Sequence, residues 1–405
     1  MRLISFLGTG NYAETVYTFN EQECKTRYIA AALSEFFKVD SIIILATKEA
    51  YSTHAKGLSD ELERLSLPKA DIRTIPSGGA TEELWKQFEI IHTAVTDNQP
   101  ASISFDITHG FRSQPFFAAA VINYLRATLE NIPEMRAFYG EWRKDEPTSP
   151  IWDISAFINL LDWSSALQSF MKTGHGADLA QLARKENVSI QKSSGKGQRP
   201  VTLDKLASSI RTFSENIATV RVADIITGAA TKSGSAANVI TNIDRSEAEV
   251  KQYFPPLYPV LLALKDKLSG IPTDNLFNEK GYQAMLALAK LYVDYERYPE
   301  AAIVLREGWV SLYAAKDKSS KELLDREERH ATEIRWQDAE GEKKNPEGCA
   351  DLLGSVRNDI QHGGFRPSPN PADKLIKNLN ELIEKLSKRL SENSQGNLHE
   401  LLDIK

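Results

Sequence analysis

A histidine and an arginine close to one helix end can move a proton and steady a charged phosphorus. The chain offers such a pair in Arg357-Asn358-Asp359-Ile360-Gln361-His362, followed by Gly363-Gly364. Residues five apart on a helix lie about 140° apart around its axis, so Arg357 and His362 share a broad face only near an end. The two glycines place that end just after His362. An imidazole titrating near neutrality can exchange a proton with a ribose 2′-hydroxyl, and a guanidinium can stabilise the charge of a pentavalent phosphorus. Together they suit metal-free RNA cleavage, in which the 2′-hydroxyl attacks its own phosphate. The spacing also fits an ordinary Arg and His on a solvated helix end, and that reading stays open. The seven histidines are widely separated, with no HxxxH or HExxH pair, so no metal centre is expected.

A second group of residues suits holding a ligand. Gly8-Thr9-Gly10-Asn11, Ser77-Gly78-Gly79 and Asp106-Ile107-Thr108-His109-Gly110-Phe111-Arg112-Ser113 each follow an apolar run that reads as a strand. In an open parallel sheet, ligands lie beyond the strand carboxyl ends, where such loops meet helix N-termini. Glycines let backbone approach a phosphate, hydroxyls and amides bond to it, and Arg112 can pair with it bidentately. A dinucleotide site fits poorly, because the first loop reads G-T-G-N-Y-A without the third glycine, and Tyr12–Phe19 is no helix start. Equally open on spacing alone is that Gly8 and Gly10 only turn the chain and His109 is an ordinary loop histidine.

The elements that position these loops alternate over the first 155 residues. Arg2–Leu7, Ser41–Ala46, Ala70–Pro76 and Ala101–Asp106 read as strands, and SIIILA is apolar on both faces, as in a buried parallel sheet. Gln22–Phe37 reads as a helix, Thr81 as the N-cap of another, and a third starts around Ser113 beside Pro115. Met135–Tyr139 and Ile151–Ile154 are expected as two edge strands. The pattern predicts a doubly wound sheet. Helical periodicity follows over Phe157–Lys185, Leu203–Thr227, Leu257–Leu268, Asn278–Tyr295, Tyr298–Ala315, Asp351–Gln361 and Pro371–Ser391. Ser189–Pro200 reads as a loop or linker, and the charge-rich stretch 316–344 as a solvated helix or insertion.

The 405 residues suffice for two or three domains. Hydrophobic residues at 41% and charged residues at 26% describe an ordinary globular chain, which excludes global disorder. With 49 basic against 55 acidic side chains the net charge is −6, so a nucleic-acid partner must be held at a local site rather than by bulk charge. Cys24 and Cys349 stand far apart, which fits a reducing compartment without a disulfide framework. The opening MRLISFLGTG is too short for a signal peptide, and no run reaches the ~18 apolar residues of a membrane span, so a cytoplasmic protein without a membrane partner is expected.

The string FDITHGFRSQP, between a strand and a helix, resembles the signature of CARF domains in one branch of the Csx-type CRISPR-associated proteins. LISFLGTGNY is similar to that branch's first strand and loop, and RNDIQH resembles the Arg-polar-x3-His motif of the HEPN ribonuclease domains that follow CARF domains there. The resemblance implies an α/β Rossmann-like N-terminal CARF domain (1–155), a helical connector (156–256) and an all-α C-terminal HEPN domain (257–405). It implies a metal-independent, cofactor-free endoribonuclease of type III CRISPR immunity that cuts single-stranded RNA and is activated by a cyclic oligoadenylate, cyclic tetra-adenylate being favoured. It further implies an even-numbered homo-oligomer that binds the ring across a two-fold axis. By the same resemblance, Thr9, Gly10, Asn11, Thr108, His109, Gly110, Arg112 and Ser113 line the second-messenger pocket, within a ligand edge that also holds Gly8, Ser77, Gly78 and Asp106. Arg357, Asn358 and His362 form the RNase site. A different class of protein stays open beside it, a non-catalytic sensor whose helical half regulates a partner.

Overall fold

In a computed structural model, described here for residues 1–110, 114–129, 133–143, 146–193, 202–228, 233–314, 322–343, 349–365 and 367–392, two compact units divide the chain, Met1–Asp162 and Trp163–Lys405. The first unit is built on an eight-stranded sheet. Its strands are β1 (Arg2–Leu7), β2 (Thr15–Phe19), β3 (Gln22–Thr26), β4 (Ser41–Ala46), β5 (Ala70–Thr74), β6 (Ser102–Asp106), β7 (Glu134–Gly140) and β8 (Thr148–Asp153). Its helices are α1 (Ile29–Phe37), α2 (Lys48–Arg64), α3 (Thr81–Thr96), α4 (Gln114–Thr128) and the start of α5 (Ser155–Thr173). The strand order is β3-β2-β8-β7-β6-β1-β4-β5, parallel from β7 through β5.

Every residue of β1 is buried, because alternate side chains feed cores on opposite faces. Leu3 and Leu7 pack with Leu33, Leu58 and Leu62 of α1 and α2, whereas Ile4 and Phe6 pack with Ile91, Val121 and Leu125 of α3 and α4. Arg2 is tolerated inside because its guanidinium donates to the carbonyls of Ala94 and Asp97 at 2.8 and 2.7 Å.

Three expectations are corrected here. Gln22–Phe37 is not one helix: Gln22–Thr26 alternates with Cys24 and Thr26 inward and forms a hairpin with β2, turning at Asn20, whose φ is 54°. The hairpin extends the sheet beyond β8, through the parallel pairing of β2 with β8, so β7 and β8 lie inside it and the edges are β3 and β5. Thr81 is the first helical residue of α3 rather than its cap, and no side chain caps Ala80, which takes that place.

The second unit is helical throughout its described residues. After α5 come α6 (Ala177–Ser193), α7 (Thr202–Ala218), α8 (Val222–Ile226), α9 (Ser235–Tyr253), α10 (Tyr258–Leu268), α11 (Glu279–Asp294), α12 (Tyr298–Ala314), α13 (Arg326–Lys343), α14 (Cys349–Gln361) and α15 (Ala372–Glu392). The long pattern Phe157–Lys185 breaks at Gly174, whose φ of 74° suits glycine and where a Cβ would come within 2.8 Å of the Tyr295 ring. Ser214 closes that corner, donating to the Gly174 carbonyl and accepting from the Gly176 N–H, both at 2.8 Å. α6 continues to Ser193, into the stretch expected as linker, and residues 194–200 lie outside the described ones. One apolar cluster runs from Trp163 through Phe213 and Tyr292 to Leu390, so the expected boundary at 256/257 crosses a shared core. Among the described residues, no helix is long and apolar enough to cross a membrane.

Candidate functional site

Strands β1 and β6 are parallel neighbours, with Ser5 opposite Asp106. The loops that leave their carboxyl ends therefore emerge side by side, which brings Gly8–Asn11 against Ile107–Gly110. The approach is close enough that a Cβ at Gly8 would stand 2.6 Å from the His109 carbonyl oxygen. Asp106 is fully buried and works from beneath: one carboxylate oxygen accepts from Ser5 Oγ at 2.5 Å and the other from the Thr108 N–H at 2.9 Å. Thr108 Oγ1 in turn accepts from the Gly140 N–H at 2.8 Å. These two residues shape the loop. Thr9, Gly10 and Asn11 are exposed at its rim, and Gly110 is half-buried. Arg112 and Ser113 lie outside the described residues.

Sequence reading missed the residues that bind this edge together. Tyr12 stacks between His54 and His109, with ring centroids 4.2 and 4.0 Å away. Its hydroxyl accepts from the Gly8 N–H at 2.8 Å and donates to the Gly8 carbonyl at 3.1 Å. His54 Nε2 donates to the Gly10 carbonyl at 2.8 Å. Burial pushes the Tyr12 phenol up to about 12. Burial also lowers the His109 imidazole below its ordinary value, against the opposing pull of the Asp106 carboxylate. Among the described residues, His109 Nε2 is buried without a hydrogen-bond partner.

The Ser77–Gly79 loop leaves the same edge of the sheet, after β5. Its donors already hold an anion: Glu83 Oε2 accepts from the Gly78 and Gly79 N–H groups at 2.9 and 2.8 Å and from Ser77 Oγ at 3.4 Å. Glu83 sits in the first turn of α3, so its carboxylate meets both the positive helix end and the glycine backbone.

In the helical unit, α14 ends as the glycine pair requires. Gly363 and Gly364 have φ of 58° and 75°, and their N–H groups donate back to Ile360 and Asp359 at 3.1 and 3.0 Å. Leu353 and Val356 point into the core. Asp359 is buried as well, and its Oδ2 accepts from the Asn370 N–H and Nδ2 at 2.8 and 3.0 Å, tying the following loop to the helix. That leaves Arg357 half-buried and Asn358 and His362 exposed, all within the last turn and a half. The Asp inside the motif, not the Asn, is therefore the residue that anchors this end.

Residues 2–139 match the family model of the CRISPR system endoribonuclease Csx1, CARF domain. Residues 159–271 match that of the CRISPR-associated protein MJ1674, second domain. The CRISPR-associated protein MJ1674 of Methanocaldococcus jannaschii is 19% identical over 365 residues, covering 76% of this chain and 52% of the relative. The chain thus spans about half the length of that relative. The loops Gly8–Asn11 and Asp106–Gly110 lie inside the first matched segment. On these grounds the N-terminal unit carries a segment similar to a CARF domain of the Csx1 type, and the chain is similar to a CRISPR-associated protein.

Proposed function

We propose that this protein is an endoribonuclease of type III CRISPR defence, switched on by a cyclic oligoadenylate and working without a metal. The observation that carries the reading is the pair of glycine-bearing loops, Gly8–Asn11 and Thr108–Gly110, side by side at the carboxyl edge of a sheet in a Csx1-type CARF segment. Exposed backbone at Thr9 to Asn11, the Thr9 hydroxyl and the Asn11 amide offer donors for ring phosphates, and Arg112 adds a cation. A ring with rotational symmetry is read best by two copies of such an edge, so the active species is an even-numbered homo-oligomer.

The cutting site is the end of α14. His362, exposed to solvent, takes or returns a proton, Arg357 holds the scissile phosphate and its developing charge, and Asn358 orients the pair. The 2′-hydroxyl loses its proton to a base, its oxygen bonds to phosphorus, and the bond to the 5′-oxygen breaks as that oxygen takes a proton. The products are a 2′,3′-cyclic phosphate and a 5′-hydroxyl.

The test is to incubate labelled single-stranded RNA with the protein and each cyclic oligoadenylate in turn. Cleavage with one ring size, and none without a ring, is the expected result. Ring binding with no cleavage would leave the non-catalytic sensor in its place.

A further inference from the structure

The charged stretch around α13, which sequence patterning assigns to a solvated face, supplies a carboxylate that faces Arg357. Glu333 is only 12% exposed in its side chain, and its Oε1 lies 3.9 Å from Arg357 Nη1. The same carboxylate accepts from Arg306 of α12, at 3.1 Å from Nε to Oε1 and also from Nη2 to Oε2. Arg306 pairs in addition with its neighbour Glu307, and Glu307 pairs with Arg329 of α13 at 2.6 Å. Arg329 is fixed in turn by the Leu323 carbonyl at 2.7 Å and Ser311 Oγ at 3.1 Å. An alternating chain of charges, Arg329–Glu307–Arg306–Glu333–Arg357, therefore crosses α12 and α13 and ends on α14.

Burial alone would raise the Glu333 pKa, but the hydrogen bond and charge of Arg306, with the charges of Arg357 and His330, hold it below the usual carboxylate range. The group is ionised at neutral pH. Its separation from Arg357 makes the contact one of charge rather than a hydrogen bond, so the guanidinium N–H groups remain available to a phosphate. A long side chain left to itself spreads over many rotamers, and restraining it in advance removes that cost from the reaction.

We propose that Glu333 is a positioning residue: its carboxylate, locked by Arg306, holds one edge of the Arg357 guanidinium and keeps the rest aimed at the scissile phosphate. The inference rests on the RNase reading of α14. Glu333→Gln keeps the shape and a hydrogen bond to Arg306 but removes the charge. In single-turnover assays with activator and RNA, the rate should fall about tenfold while the KM for RNA stays within about twofold. Glu333→Asp, which keeps the charge but withdraws it from Arg357, should show the same loss, and it serves if the Gln variant does not fold. The decisive readout is the cycle with Arg357→Ala: the double variant should be no slower than Arg357→Ala alone, since Glu333 acts through that arginine. Additive losses, or full rate in both Glu333 variants, would overturn the proposal while leaving the RNase reading intact. A wild-type protein that cuts no RNA with any ring would overturn the RNase reading itself, and this proposal with it.

Discussion

The loops at the sheet edge and the end of α14 hold their polar groups in opposite ways. At the sheet edge much of the donor and acceptor capacity is already spent: Tyr12 on Gly8, His54 on Gly10, Asp106 on Ser5 and Thr108, and Glu83 on Gly78 and Gly79. At the helix end Asn358 and His362 stand in solvent, and order is supplied from behind by Asp359 and Glu333. A preformed edge suits recognition, because little entropy remains to be lost when a ligand arrives. An exposed Asn and His beside a half-buried Arg suit chemistry that begins only when a second surface or a substrate covers them.

The widest separation of the two regions is expected from His362→Ala. Removing a general acid–base group costs about 10²–10⁴ in rate, so activated RNA cleavage should collapse while calorimetric titration still finds the ring bound. Equal losses of binding and cutting would break the contrast.

Gly8→Ala should do the reverse. Its new Cβ would meet the His109 backbone carbonyl at 2.6 Å, so the two loops must part. Ring affinity is expected to fall at least about tenfold, measured by the same titration, whereas the fold of the helical unit is unaffected.

Acid gives a smaller effect confined to the sheet unit. Burial holds the His109 pKa below its ordinary 6.5, so the unfolded chain takes up the proton before the folded one does. Stability from this residue is complete above that value and declines as pH falls through it, down to the folded pKa. Denaturant melts from pH 7.5 to 5 should show this slope, and His109→Gln should flatten it.

Glu83→Ala is expected to produce the smallest change. Two loop N–H groups lose their acceptor near a helix start, a loss of about 1 kcal/mol by analogy with a removed cap. A modest drop in melting temperature, with RNA cleavage retained, is the outcome to look for.

How much of this was legible depended on how local each feature is. β1, β4 and β6 declared themselves because apolar runs bounded by glycine or charge are what a parallel sheet needs. The hairpin β2–β3 did not, since the genuine helical spacing of Ala31, Ala32 and Phe36 extended backward over residues that alternate. The glycines of the site loops carried their own signal in the sequence. Tyr12 stacked on His54 did not, because that contact is made only when β1 and α2 are brought together. Glu333 was equally hidden: a carboxylate among many charges reads as solvated until folding sets it against Arg306 and Arg357. Asp359 reads as one more polar residue of its motif, because its partner Asn370 lies beyond the helix end and meets it only in the folded chain.

The central claim is that His362 and Arg357 cut RNA with the substrate's own 2′-hydroxyl, under control of the sheet unit. It is tested most directly by end-group analysis of RNA cut in excess EDTA, with the activating ring present and then omitted. The account predicts 2′,3′-cyclic phosphate ends that appear only with the ring, and an uncut strand when every 2′-hydroxyl is replaced by hydrogen. Cleavage that stops on chelation, or that proceeds on the deoxy strand, would contradict it.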